Sequence, residues 1–130
     1  MTDDLHRKLR FLAQIAAWTL LFFVMFSTLS PISLRPETGH VTLERFGAYA
    51  LVGGAFTLGY PSRWVAVALG LLTVAGVLEA LQTLEPDRHG RWLDLLVKVA
   101  GTFSGVGAGL VCVALLAAWA GPRRLANRAG

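Results

Sequence analysis

Between residues 79 and 105 this chain sets Glu79, Gln82, Arg88, Asp94 and Lys98 into or beside segments otherwise made of leucine, valine, alanine and glycine. Two carboxylates in different surroundings can divide general acid and general base work between them. Arginine and lysine can instead hold an anion, arginine through its planar fork and lysine as a point charge. A charged side chain near the centre of a bilayer costs about 2.5–3.5 kcal/mol on insertion scales, so one that persists there faces protein or water and often marks a functional site.

The elements that carry these residues follow from composition. The chain has 130 residues, 55% hydrophobic and only 15% charged, with a mean hydropathy of +0.57, too apolar for an ordinary soluble domain. Its apolar residues fall in blocks near the bilayer-spanning length. The first block, 11–29, is uncharged and ends at Ser30-Pro31; it is long for a signal peptide and lacks a clear cleavage site, so it reads as a retained helix. The second, 46–59, is short and weakened by Gly47, Gly53 and Gly54, and is expected to extend back towards Leu43, to tilt, or to enter the membrane only in part. The third carries Glu79 and Gln82 near its end, and the fourth carries Asp94 and Lys98 in its first turns. The pattern predicts an all-α, polytopic membrane protein. It is one domain over 1–130, a four-helix transmembrane bundle with helices over about 11–30, 43–60, 64–84 and 92–120.

Basic residues set the expected orientation, because cytoplasmic flanks are enriched in Lys and Arg. Arg7, Lys8, Arg10, Arg63, Arg123, Arg124 and Arg128 fall on one side, against Arg35, Arg45, Arg88 and Arg91 on the other. Both termini are therefore expected in the cytoplasm, with the loops 31–45 and 85–92 outside. Trp64, Trp92 and Trp119 fall at span ends and read as interfacial anchors. Positive-inside topology accounts for the basic pI near 10, so no nucleic-acid partner is expected. A single cysteine, Cys112, excludes a disulfide framework within one chain and reads as a small packing residue. No phosphate-binding loop, dinucleotide fingerprint, zinc signature or serine elbow occurs, and neither a metal nor another cofactor is expected.

Helical spacing places Glu79 and Gln82 on one face and Asp94 and Lys98, i and i+4, on another. The Asp94 face continues through Gly101, Gly105 and Gly109, a stripe of small residues that lets another helix approach closely. The short connection 85–91 makes the third and fourth helices antiparallel neighbours. Glu79, Gln82, Arg88, Asp94 and Lys98 are then expected to converge around one outward-facing pocket. Simpler roles stand beside that one. Asp94 suits a helix N-terminus by dipole and capping, and Lys98 can neutralise it. Glu79 has no neutralising residue in its own helix and needs Lys98, Arg88 or Arg45.

The order Glu79-x-x-Gln82-x-x-x-Pro86-x-Arg88, then Asp94-x-x-x-Lys98-x-x-Gly101-x-x-x-Gly105, resembles the signature of the VanZ-like membrane proteins: E-x-x-Q, P-x-R, then D-x-x-x-N-x-x-G and a later glycine. Upstream, the segment around Arg45 resembles the family's D-K-x-x-H-F-x-x-Y, matching at Phe46 and Tyr49. The likeness covers about 42–105. It departs from the pattern at Lys98, where the family usually has asparagine, and at Arg45, where it usually has histidine. Both changes add positive charge, which fits an anion site or a self-neutralised network. The resemblance implies a bacterial inner-membrane protein of the cell envelope, in a family whose namesake is associated with resistance to teicoplanin, a glycopeptide antibiotic.

Three functions are compatible with these residues. One is a non-enzymatic protein whose pocket, with Glu79, Gln82, Arg88, Asp94, Lys98 and Arg45, binds an envelope lipid headgroup, a cell-wall precursor or a glycopeptide-like molecule. A second is a structural or accessory subunit, packing through Gly101, Gly105 and Gly109 on a partner helix or a second copy. The third is a membrane enzyme in which Glu79 or Asp94 acts on a lipid-linked substrate, although no nucleophile or metal set accompanies them.

Overall fold

The computed structural model describes residues 2–29, 41–82 and 91–129, which are all-helical. Four helices, α1 (Thr2–Leu29), α2 (Val41–Gly59), α3 (Trp64–Gln82) and α4 (Arg91–Ala129), follow in order, with a 3₁₀ turn over Pro61–Arg63 between α2 and α3. Pro61 opens that turn, where its fixed φ and missing N–H cost least.

Two helices are longer than the apolar blocks. α1 begins at Thr2 instead of near residue 11, because Asp3 and Asp4 occupy its first turn, where carboxylates favour the helix dipole. Arg7 Nη2 also donates to Asp4 Oδ1 at 2.5 Å, a helical i, i+3 pair. α4 continues past residue 120, through Pro122, to Ala129. Arginine, leucine and alanine, all good helix formers, make up most of that extension. Bilayer thickness limits the apolar run and not the helix.

Among the described residues, Asp3–Thr28, Pro61–Leu81 and Trp92–Gly121 are long and apolar enough to cross a membrane, as in a multi-pass membrane protein. The surface agrees. Phe22, Phe23 and Phe26 of α1, Leu51 of α2, Leu69 and Val77 of α3 and Phe103 and Leu115 of α4 are all exposed, while Glu79, Lys98, Thr57 and Thr102 are buried. A water-soluble protein does not display apolar side chains on every helix and enclose its charges.

α2 is not among those three helices, yet it is the element around which the others pack. Its Tyr49, Val52 and Phe56 meet Ala17 and Val24 of α1 and Leu71 and Ala75 of α3 in one core. α1 runs antiparallel to α2: Gln14 Nε2 donates to Gly59 O at 3.1 Å, and the Trp18 and Phe56 rings meet edge to face at 5.2 Å. α2 and α4 run parallel and in close contact. A Cβ at Gly101 would lie 2.5 Å from Phe46 O, one at Gly109 would lie 2.7 Å from Thr57 Cβ, and one at Gly105 would overlap the Ala50 backbone. From the other side, a Cβ at Gly53 would lie 2.9 Å from Thr102 O. The glycine stripe is therefore covered by α2 of the same chain. Its small residues admit a close helix as expected, and the helix received on that face is α2 in place of a partner helix or a second copy.

Candidate functional site

The parallel packing of α2 on α4 and the return of α3 bring four charged side chains to one end of the bundle. Lys98, on α4, has its Nζ 2.9 Å from Glu79 Oε2 on α3 and 2.9 Å from Asp94 Oδ2 one turn back on its own helix. Asp94 Oδ1 in turn accepts from Arg45 Nη1 on α2. The sequence Glu79, Lys98, Asp94, Arg45 is thus one chain of alternating charge joining three helices, with no net charge.

Exposure is graded along it. The Lys98 side chain is 2% exposed, those of Glu79 and Asp94 11% and 13%, and that of Arg45 34%. Lys98 could not be buried alone, since an unpaired ammonium in an apolar interior costs several kcal/mol even after relaxation. Its two carboxylates make the burial tolerable. Arg45 is the outermost member of the chain. A guanidinium carries five N–H donors, so the contact with Asp94 leaves it capacity for a further acceptor.

The layer beneath is polar but largely self-satisfied. Thr102 Oγ1 donates to Lys98 O at 2.9 Å and Thr57 Oγ1 to Gly53 O at 2.8 Å, each returning its hydroxyl to the preceding helical turn. Tyr49 differs. It lies one turn along α2 from Arg45, is 3% exposed, and its Oη has no hydrogen-bond partner among the described residues. The charges acting on that hydroxyl are those of Asp94, Glu79 and Arg45. A buried hydroxyl left unpaired costs about 1–3 kcal/mol, so an acceptor reaching it would be stabilised.

Of the residues singled out from the sequence, the structure joins Glu79, Asp94, Lys98 and Arg45 directly. Gln82 closes α3, one turn beyond Glu79, and its side chain lies outside the described residues, as does Arg88. The four charged groups converge and contact one another in a self-neutralised chain. Gly101, Gly105 and Gly109 form the floor beneath them. Tyr49 was expected only as a match to the resembled motif and not as a site residue; its burial and its hydroxyl, four residues from Arg45, bring it to the site. Among the described residues no three of His, Cys, Asp and Glu come together as a metal site.

No family model, curated protein or solved structure matches this chain.

Proposed function

We propose that this chain is a VanZ-like protein of the bacterial inner membrane, a four-helix transmembrane bundle with both termini in the cytoplasm and the Arg45 end facing out. In this reading the outward end binds the phosphate-bearing headgroup of an envelope lipid or of a lipid-linked cell-wall precursor. One observation carries the proposal: the charge chain ends in Arg45, a guanidinium oriented by Asp94 and one-third exposed. Asp94 fixes the fork's direction, and a phosphate can take donors that Asp94 does not use. The Tyr49 hydroxyl, one turn below and without a partner among the described residues, supports the same end as a ligand site. Arg88, from the sequence motif, is included in the proposal as a second cation.

Native mass spectrometry of the full chain, released from detergent with its co-purified lipids, tests this. A phosphate-bearing lipid is expected on the native chain, lost in Arg45→Ala and Arg88→Ala and kept in Gly107→Ala, where a Cβ meets nothing within 4 Å. The same lipid retained by all four proteins would contradict the reading, and a bound glycopeptide-like molecule in its place would change the ligand class.

A structural role is the second reading, favoured by the fact that each of the four charges has a partner inside the chain. In that case Glu79→Gln and Asp94→Asn would lower the folded yield without altering any lipid. Nothing in the arrangement favours the enzyme reading, since both carboxylates hold the same Lys98 ammonium and are not split into an acid and a base.

A further inference from the structure

Towards the end of the bundle opposite the charge chain, residues of α1, α2 and α3 line an open groove of about 340 Å³. Trp18, Phe56, Gly70 and Val74 give it an apolar wall, and Tyr60 and Arg63 stand at one end. We infer that this groove binds one acyl chain of an anionic phospholipid, with the lipid phosphate against Arg63.

Three observations select that occupant. First, the groove has the length of one leaflet. From Arg63 to Val74 is eleven residues of chain, about 16 Å of helix at 1.5 Å per residue, against a hydrocarbon core of about 30 Å. It therefore runs from the interface to near the midplane and stops, as a lipid tail does. Second, the charge is at the interfacial end. Arg63 is exposed and precedes Trp64, an exposed aromatic at the start of a candidate span. Gln14 contacts Gly59 at this same end, so the first turns of α1 lie here, where Lys8 and Arg10 accompany Asp3 and the paired Asp4 and Arg7 and leave a small positive excess beside Arg63. Third, the wall is shaped by absence of side chain at Gly70, where a Cβ would meet nothing within 4 Å. At the mouth, Trp18 Nε1 donates to Tyr60 Oη at 3.3 Å, which holds the two amphipathic rings together beside Arg63.

The inference rests on the membrane reading but not on the Arg45 site, and Trp18 provides a local reporter. The test uses the full chain with Trp64, Trp92 and Trp119 replaced by Phe, in nanodiscs doped with acyl-brominated phosphatidylglycerol or acyl-brominated phosphatidylcholine. Bromine quenches indole fluorescence on contact. Half-quenching of Trp18 is expected at a roughly fivefold lower fraction of phosphatidylglycerol, the preference that one basic residue near a membrane surface supplies. Arg63→Ala should abolish the preference and Arg63→Lys should retain it. Gly70→Leu should weaken quenching by both lipids, because a Cβ there enters open space in the groove wall and the leucine takes room the acyl chain would occupy. Equal quenching by the two lipids in the native-groove protein, or a preference that survives Arg63→Ala, would overturn the proposal. Quenching by neither lipid would overturn both it and the membrane reading.

Discussion

At the scale of single residues, the side chains with the greatest energetic consequence are those that hydropathy alone would exclude. Lys98 lies about 9 Å along α4 from Trp92 and is sealed between two carboxylates. Lys98→Met would leave Glu79 buried without its partner, and the loss expected is about 3–5 kcal/mol in denaturant unfolding of the detergent-solubilised protein. Adding Glu79→Leu to that variant should recover much of the loss, because an apolar pair of similar volume replaces an ion pair at little cost. Arg45→Ala, at the exposed end, should cost no more than about 1 kcal/mol, the range for solvent-screened pairs. If the double variant were less stable than Lys98→Met alone, Glu79 and Lys98 would not be energetic partners. Charge inside an apolar run is visible in the sequence, so Glu79, Asp94 and Lys98 were legible as unusual. The Asp94–Lys98 pair followed from helical spacing and Lys98 was one of three partners open to Glu79, whereas the Arg45–Asp94 contact was not legible, since it depends on how α2 registers against α4. Tyr49 was harder still. An aromatic residue on an apolar helix reads as packing, and beyond its place in the resembled motif it is set apart by burial without a hydroxyl partner among the described residues.

At the scale of elements, α2 extends back beyond Leu43 as its sequence suggests and is not among the candidate spans, yet it holds the centre of the packing. Its glycines and its short apolar run mark it from sequence as a weak span, which treats each helix as though lipid surrounded it. In the fold the other three helices pack against it, and Gly53 and Gly54 permit the approach to α4. Gly105→Ala should therefore destabilise by about 1–3 kcal/mol, because the new Cβ has no place against the Ala50 backbone. Gly107→Ala, two residues away in open space, should be neutral or stabilising by up to about 1 kcal/mol through helix propensity alone. Thermal unfolding of the two variants in one detergent separates them; equal effects would mean that α2 and α4 do not meet along this seam. The seam also orients the charge chain, since it sets the register that lets Arg45 reach Asp94.

At the scale of the whole molecule, the two ends differ in kind. One joins Arg45, Asp94, Lys98 and Glu79 into a neutral chain, and the other gathers Arg63 with the basic turns of α1. Hydropathy and charge made this polarity legible, whereas the residues at 30–40 and 83–90 lie outside the described structure. The functional proposal depends on which end faces the envelope. Thr42 at the start of α2 and Ser62 in the turn before α3 are both exposed and lie at opposite ends. With Cys112 replaced by Ser, single cysteines at these positions can be labelled in intact cells by a membrane-impermeant maleimide. With the Arg45 end facing out, Thr42→Cys is labelled and Ser62→Cys is labelled only after the cells are opened. Labelling of Ser62→Cys in intact cells, with Thr42→Cys protected, would place the charge chain in the cytoplasm and contradict an envelope ligand.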